Sequence, residues 1–182
     1  MVKKDAQYWV KKASKYTDSG NLWLALNAYN NALVIEPNEP NLLLSRCSIL
    51  VELGSLDYAL GAVEKSLKID PTNVDSWYYK GLILYRQEET EKAFHALREA
   101  NKLDPVDARV LVLLGLLAGK LGMVDEGREF CAIAKKVDPE YTERLLRGLL
   151  NTVEGNMNRA EFDFRDASNR FLEKRREKKE FK

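Results

Sequence analysis

The chain has 182 residues, 45% of them apolar and 31% charged, with a net charge of +1. That length supports a real core, built as one domain or one array of repeats, and the composition is that of a globular chain. The near-neutral charge gives no global reason to bind nucleic acid or an acidic ligand.

The N-terminal stretch MVKKDAQYWVKKASKY is too polar for a secretory h-region and is not the Arg- and Ser-rich, acid-free segment of a transit peptide. From Ala6 the chain falls into rows of 34 residues. Pro37, Pro71, Pro105 and Pro139 recur at that interval, and only Pro40 breaks it. Aligned on the prolines, the rows begin at Ala6, Pro40, Val74 and Ala108. Position 8 of each row is small (Ala13, Cys47, Gly81, Gly115), as are position 20 (Ala25, Ala59, Ala93, Gly127) and position 27 (Ala32, Ser66, Ala100, Ala134). Large residues recur at position 4 (Trp9, Leu43, Trp77, Leu111) and at positions 11 and 24. Each row reads as two helices, A then B. Gly20, Gly54 and Gly122 supply a left-handed turn between them, with Glu88 as the departure in row three. Small residues let the helices approach, large ones fill the remaining space, and the proline ends helix B. A fifth row fits if it starts at Tyr141, with a loop one residue shorter, placing Gly155, Ala160, Phe164 and Ala167 in register but giving no terminal proline. Such a weak last row suits a cap. No stretch reaches a membrane-spanning length; the most apolar run is VLVLLGLLAG, 110–119.

This pattern resembles the tetratricopeptide repeats, whose signature is Trp-x2-Leu-Gly-x2-Tyr, then Ala-x3-Phe, then Pro. Row three comes close with Trp77, Gly81, Ala93, Ala100 and Pro105, and departs at Lys80, Leu84 and Leu97. The resemblance implies an all-α, right-handed superhelical solenoid of antiparallel helix pairs. Residues 1–182 read as a single solenoid with repeats at about 6–39, 40–73, 74–107, 108–140 and 141–172, followed by a charged helical tail, 173–182. Met1 and the compact repeat count suggest a whole protein.

Enzyme chemistry finds no foothold in the sequence, so catalytic residues, metal ligands and cofactors are expected to be absent. The one histidine, His95, is expected to face solvent on a B helix, and Cys47 and Cys131 occupy small core positions without metal-ligand spacing. Those cysteines suit a reducing, cytoplasmic compartment. Trp23, near the start of a B helix, reads as a capping contact or an exposed anchor, with the capping contact preferred.

The resemblance places function on the concave face, lined by helix A. There the rows run from polar (Gln7, Ser14, Asp18) to aromatic and aliphatic. The candidate groove comprises Leu44, Ser48, Tyr78, Tyr79, Leu82, Tyr85, Arg86, Arg109, Val112, Leu113, Leu116 and Lys120, centred on rows three and four. It is expected to bind a peptide or amphipathic helix of a protein partner, as a scaffold or adaptor, and an apolar groove also suits a homodimer. A surface covered by the protein's own chain would show the same apolar strip. The carboxylate clamp for acidic chaperone tails finds no match in rows one to three (Val10, Ser14, Ser45, Asp75, Tyr79), and only Arg109 in rows two to four. The alternative is binding of RNA or an acidic partner through the tail, with six basic and three acidic residues from Glu173 onward, and through Lys3, Lys4, Lys11, Lys12 and Lys15. A solvated helical extension explains that tail equally.

Overall fold

The computed structural model describes residues 5–153. They form nine α-helices and no strand: α1 (Ala6–Asp18), α2 (Leu22–Ile35), α3 (Pro40–Glu52), α4 (Leu56–Ile69), α5 (Val74–Arg86), α6 (Thr90–Leu103), α7 (Ala108–Lys120), α8 (Val124–Val137) and α9 (Pro139–Val153). The chain divides into two compact units, Met1–Leu103 and Asp104–Lys182. In the first, α1–α2, α3–α4 and α5–α6 pack as helix hairpins, α2 lies on α3, α4 on α5, and α3 on α5. In the second, α7 packs on α8, and both contact α9. The proposed second helix of the fifth row and the charged tail lie outside the described residues.

Local chemistry sets the boundaries. Side chains open the A-type helices: Asp5 accepts from the Tyr8 N–H at 2.8 Å, Asn73 from Ser76 at 2.8 Å, and Asp107 from Arg109 at 3.0 Å. Each then closes on a left-handed residue, with a backbone bond spanning five residues: Asn21 to Tyr16, Ser55 to Leu50, Glu89 to Leu84, and Met123 to Ala118, at 2.8–2.9 Å. Gly20, Gly54 and Gly122 take φ of 74°, 72° and 80°. Glu88 takes 63°, so the left-handed turn persists in row three without the glycine that makes it easy.

The B-type helices end where a proline follows. Asp70 and Asp138 are extended at their caps, as a residue before proline prefers, and Glu36, with φ −123° and ψ 75°, has likewise left the helical region. The Asp70 carboxylate turns back to the Thr72 N–H at 3.0 Å, and that of Asp104 to Val106 at 3.2 Å. Asp138 instead accepts from Tyr141 at 2.9 Å. There Pro139 is itself the first residue of α9, and the connection shrinks to one residue between Val137 and Pro139. The other hairpins are joined by four residues, so this connection is three residues shorter rather than the one expected, and the helix starts at Pro139 rather than Tyr141, because the proline both stops one helix and starts the next.

The small positions bring helices together. Ala13, Cys47, Ala25, Ala59, Ala93, Ala32, Ser66, Ala100 and Ala134 have no exposed surface. A Cβ on Gly81 would stand 2.5 Å from Leu97 Cγ, and one on Gly115 would stand 2.5 Å from Cys131 Sγ. Ser66 and Ser76, both fully buried, satisfy each other at 2.9 Å between α4 and α5.

Candidate functional site

The predicted groove residues divide sharply by burial. In the first unit Tyr78, Leu82 and Leu44 are buried, whereas Ser48, Tyr79, Tyr85 and Arg86 are half-exposed. In the second unit Arg109, Val112 and Leu113 retain 1%, 0% and 0% exposure, Leu116 is half-buried and Lys120 is exposed. The apolar strip expected on a ligand-facing surface is thus largely core. Val112 and Leu113 offer a partner no surface to desolvate, so a groove centred on them is corrected here. The signal was present in the run 110–119: a helix apolar on all sides is a buried helix rather than an amphipathic one with a free face.

Arg109 is corrected for a different reason. Its guanidinium folds back onto its own helix cap, with Nε 3.1 Å from Asp107 Oδ1 and Nη2 2.7 Å from Oδ2, and both side chains are buried. Asp107 also caps α7 through the Arg109 N–H. The pair is a closed, charge-assisted clasp at the start of α7 and does not present a cation to a ligand.

Around the candidate groove positions of α3 and α5, what remains accessible is polar, whereas α1 and the start of α5 also leave Tyr8, Val10, Val74 and Trp77 partly or fully exposed. Asn41 is exposed, and Ser45, Ser48, Tyr79 and Tyr85 are half-exposed. Arg86 reaches across to α3, where Nη1 donates to the Val51 carbonyl at 3.1 Å. Tyr79 meets Tyr78 edge-to-face with ring centroids 5.5 Å apart, which fixes its ring on the surface of α5. On α1, Gln7, Lys11 and Ser14 are exposed, and Lys12 sits over Trp9 and Tyr16 at 5.5 and 5.7 Å.

The reactive groups are quiet. Burial pushes the Cys47 thiol up to about 12, against a smaller opposing pull from Arg46, and burial also raises that of Cys131. Cys131 is half-buried rather than fully enclosed, and neither cysteine is in a disulfide. His95 is exposed. Among the described residues no group of three or more His, Cys, Asp or Glu is placed to hold a metal, and no helix is long and apolar enough to cross a membrane. Trp23 does not cap a helix: it is 70% exposed.

Helix hairpins joined by left-handed turns, with small residues at fixed positions and a proline closing each of the first four rows, decide the architecture. This is the tetratricopeptide-repeat fold. Solved structures share it across nearly the whole chain. MamA 41-end from Desulfovibrio magneticus RS-1 is 24% identical, with a TM-score of 0.69, covering 93% of this chain and 96% of that one. TTC0263, a thermophilic tetratricopeptide-repeat protein of Thermus thermophilus, is 19% identical, with a TM-score of 0.70 and coverage of 92% and 97%. YrrB, described as a repeat protein of this kind with an unusual peptide-binding site, is 22% identical, with a TM-score of 0.64 and coverage of 92% and 87%. Residues 52–131 match the family model of anaphase-promoting complex, cyclosome, subunit 3. No curated protein is significantly similar to the chain.

Proposed function

We propose that this tetratricopeptide-repeat chain is a non-catalytic protein-interaction module that takes an extended peptide on the accessible face of α1, α3 and α5. The observation that carries the reading is the chemistry left exposed there. Asn41, Ser45, Ser48, Tyr79 and Tyr85 each hold groups that can both donate and accept hydrogen bonds, which suits the alternating N–H and C=O groups of an extended chain; Asn41 Nδ2 already donates to Glu39 Oε1 at 2.9 Å and Ser48 Oγ to the Ser45 carbonyl at 2.8 Å, so those two take a peptide on their remaining donor and acceptor capacity. Tyrosine rings add contact area at a low cost in side-chain entropy. An apolar helix is a poorer fit, because the leucines and valines that would have gripped it are buried. The shared fold with YrrB, and that protein's peptide-binding site, support the reading. An acidic peptide tail is disfavoured, since Asp18 and Glu52 flank this face and the Arg86 guanidinium is already engaged with Val51. Two cysteines outside any disulfide suit action in the reducing cytoplasm.

Selection of a random displayed-peptide library against the full chain tests this. Selected peptides should bind at least about tenfold more weakly to Tyr79→Ala, a loss of about 1.4 kcal/mol or more, with affinity that tolerates salt. Binding instead of RNA, steeply weakened by salt and abolished by deleting residues 173–182, would replace this reading with a nucleic-acid one.

A further inference from the structure

The outer helix α2 breaks a rule that its three sisters keep. At row position 18, near the helix start, the sisters carry Asp57, Glu91 and Asp125; at position 29, near the end, they carry Lys68, Lys102 and Lys136. Acid first and lysine last is the arrangement that complements the helix dipole and keeps an outer face solvated. In α2 those positions are Trp23 and Val34, and they are 70% and 81% exposed. No residue of α2, from Leu22 to Ile35, is charged. The helix therefore forgoes dipole compensation and leaves an indole and an isopropyl group in water.

These residues form one stripe. Trp23, Asn27, Asn30 and Val34 follow 4–3–4 spacing, which keeps all four within about 60° of arc on a helix of 3.6 residues per turn. Asn27 and Asn30 are exposed between the apolar ends, while Leu24 and Ile35, 50% and 45% exposed, flank the stripe. The pattern, apolar–amide–amide–apolar, reads the same in both directions.

We infer that α2 pairs antiparallel with α2 of a second copy of this chain, around a two-fold axis between Asn27 and Asn30. The reversed stripe sets Trp23 of each copy on Val34 of the other, and Asn27 opposite Asn30. Amides are self-complementary because each both donates and accepts, so a two-fold contact can satisfy them. No charge is desolvated in the process. A bilayer is a poorer occupant: the centre of the stripe is two polar amides, of which Asn27 Oδ1 accepts from Asn31 Nδ2 at 2.8 Å, and α2 has no lysine or arginine rim. One helix pair with its flanks buries on the order of 1,000 Å², the low end for a specific interface, so the dimer is concentration-dependent.

Sedimentation equilibrium of the full chain from about 1 to about 200 µM tests the inference, and the mass should rise from one copy to two across that range. Trp23→Asp with Val34→Lys gives α2 the residues its sisters carry, so the variant should fold with unchanged circular dichroism and stay monomeric. Val34→Lys alone, at an 81% exposed site, should weaken association at least about tenfold. With Cys47 and Cys131 replaced by Ala, chains bearing Asn27→Cys should cross-link to chains bearing Asn30→Cys faster than either cross-links to itself. A wild-type monomer throughout the range, or a dimer indifferent to both α2 variants, overturns the inference. Faster self-cross-linking overturns the antiparallel register. A monomer that sediments with phosphatidylcholine vesicles through Trp23 makes the stripe a membrane contact instead, and overturns the inference as well.

Discussion

Gly81→Ala tests the spacing logic of the repeats at a single atom. In the interior of α5 the change gains about 1 kcal/mol of helix propensity. Against that, the new Cβ falls 2.5 Å from Leu97 Cγ, 2.8 Å from its Cδ2 and 3.3 Å from the Ala93 carbonyl oxygen. Carbon atoms rest about 3.5–4.0 Å apart, so α5 and α6 must separate or Leu97 must leave its rotamer. Leu97 has no exposed surface. Overpacking of this kind costs about 1–3 kcal/mol, leaving a net loss of about 1 kcal/mol. Gly61→Ala is the internal control. It lies in the interior of α4, with nothing within 4 Å of its added Cβ, and should gain about 1 kcal/mol from propensity alone. Urea unfolding followed by circular dichroism should therefore place the two midpoints on opposite sides of the wild type, about 2 kcal/mol apart. If Gly81→Ala is as stable as Gly61→Ala, close approach at position 8 is not what holds the α5–α6 pair.

Glu88→Gly should stabilise the chain by about 0.5–1 kcal/mol, because φ of 63° strains any side chain there, and thermal unfolding reads the gain. Arg109→Ala should cost about 3–5 kcal/mol by removing the guanidinium that pairs with the buried Asp107 carboxylate, and denaturant unfolding of the variant checks it. Leu113→Ser should cost more than about 3 kcal/mol, since it both empties core volume and buries a hydroxyl, whereas Leu116→Ser, at a half-buried site, should cost clearly less; equal stability of the two would return Leu113 to the surface.

The repeat was legible because its constraints are local and steric. A proline dictates the backbone of the residue before it wherever it stands, and a small residue between two helices is a requirement of volume. Pro71 and Ala93 therefore announce their roles without the fold, and Glu88 announced the turn that lacks its glycine. The candidate face was less legible because its residues depend on which neighbour covers them. Tyr78 and Tyr79 are adjacent and chemically identical, yet one is buried and the other half-exposed. Arg109 looked like a groove cation because nothing in its own row shows that Asp107, two residues earlier, folds back to bind it. Trp23, taken alone, allowed either a cap or an exposed anchor, and it is the exposed one. Set beside Asp57, Glu91 and Asp125 at the same row position, its exposure had a signal.

Site-specific photo-cross-linking tests the proposed peptide face most directly. p-Benzoylphenylalanine introduced at Ser48, Tyr79 or Glu64 of the full chain would be irradiated with a peptide selected from the displayed library. Ser48 and Tyr79 are half-exposed on α3 and α5, while Glu64 is exposed on the outer helix α4. The account predicts covalent capture from positions 48 and 79 and none from 64. Capture from 64 with none from 79 would contradict it and move the binding surface to the outer helices.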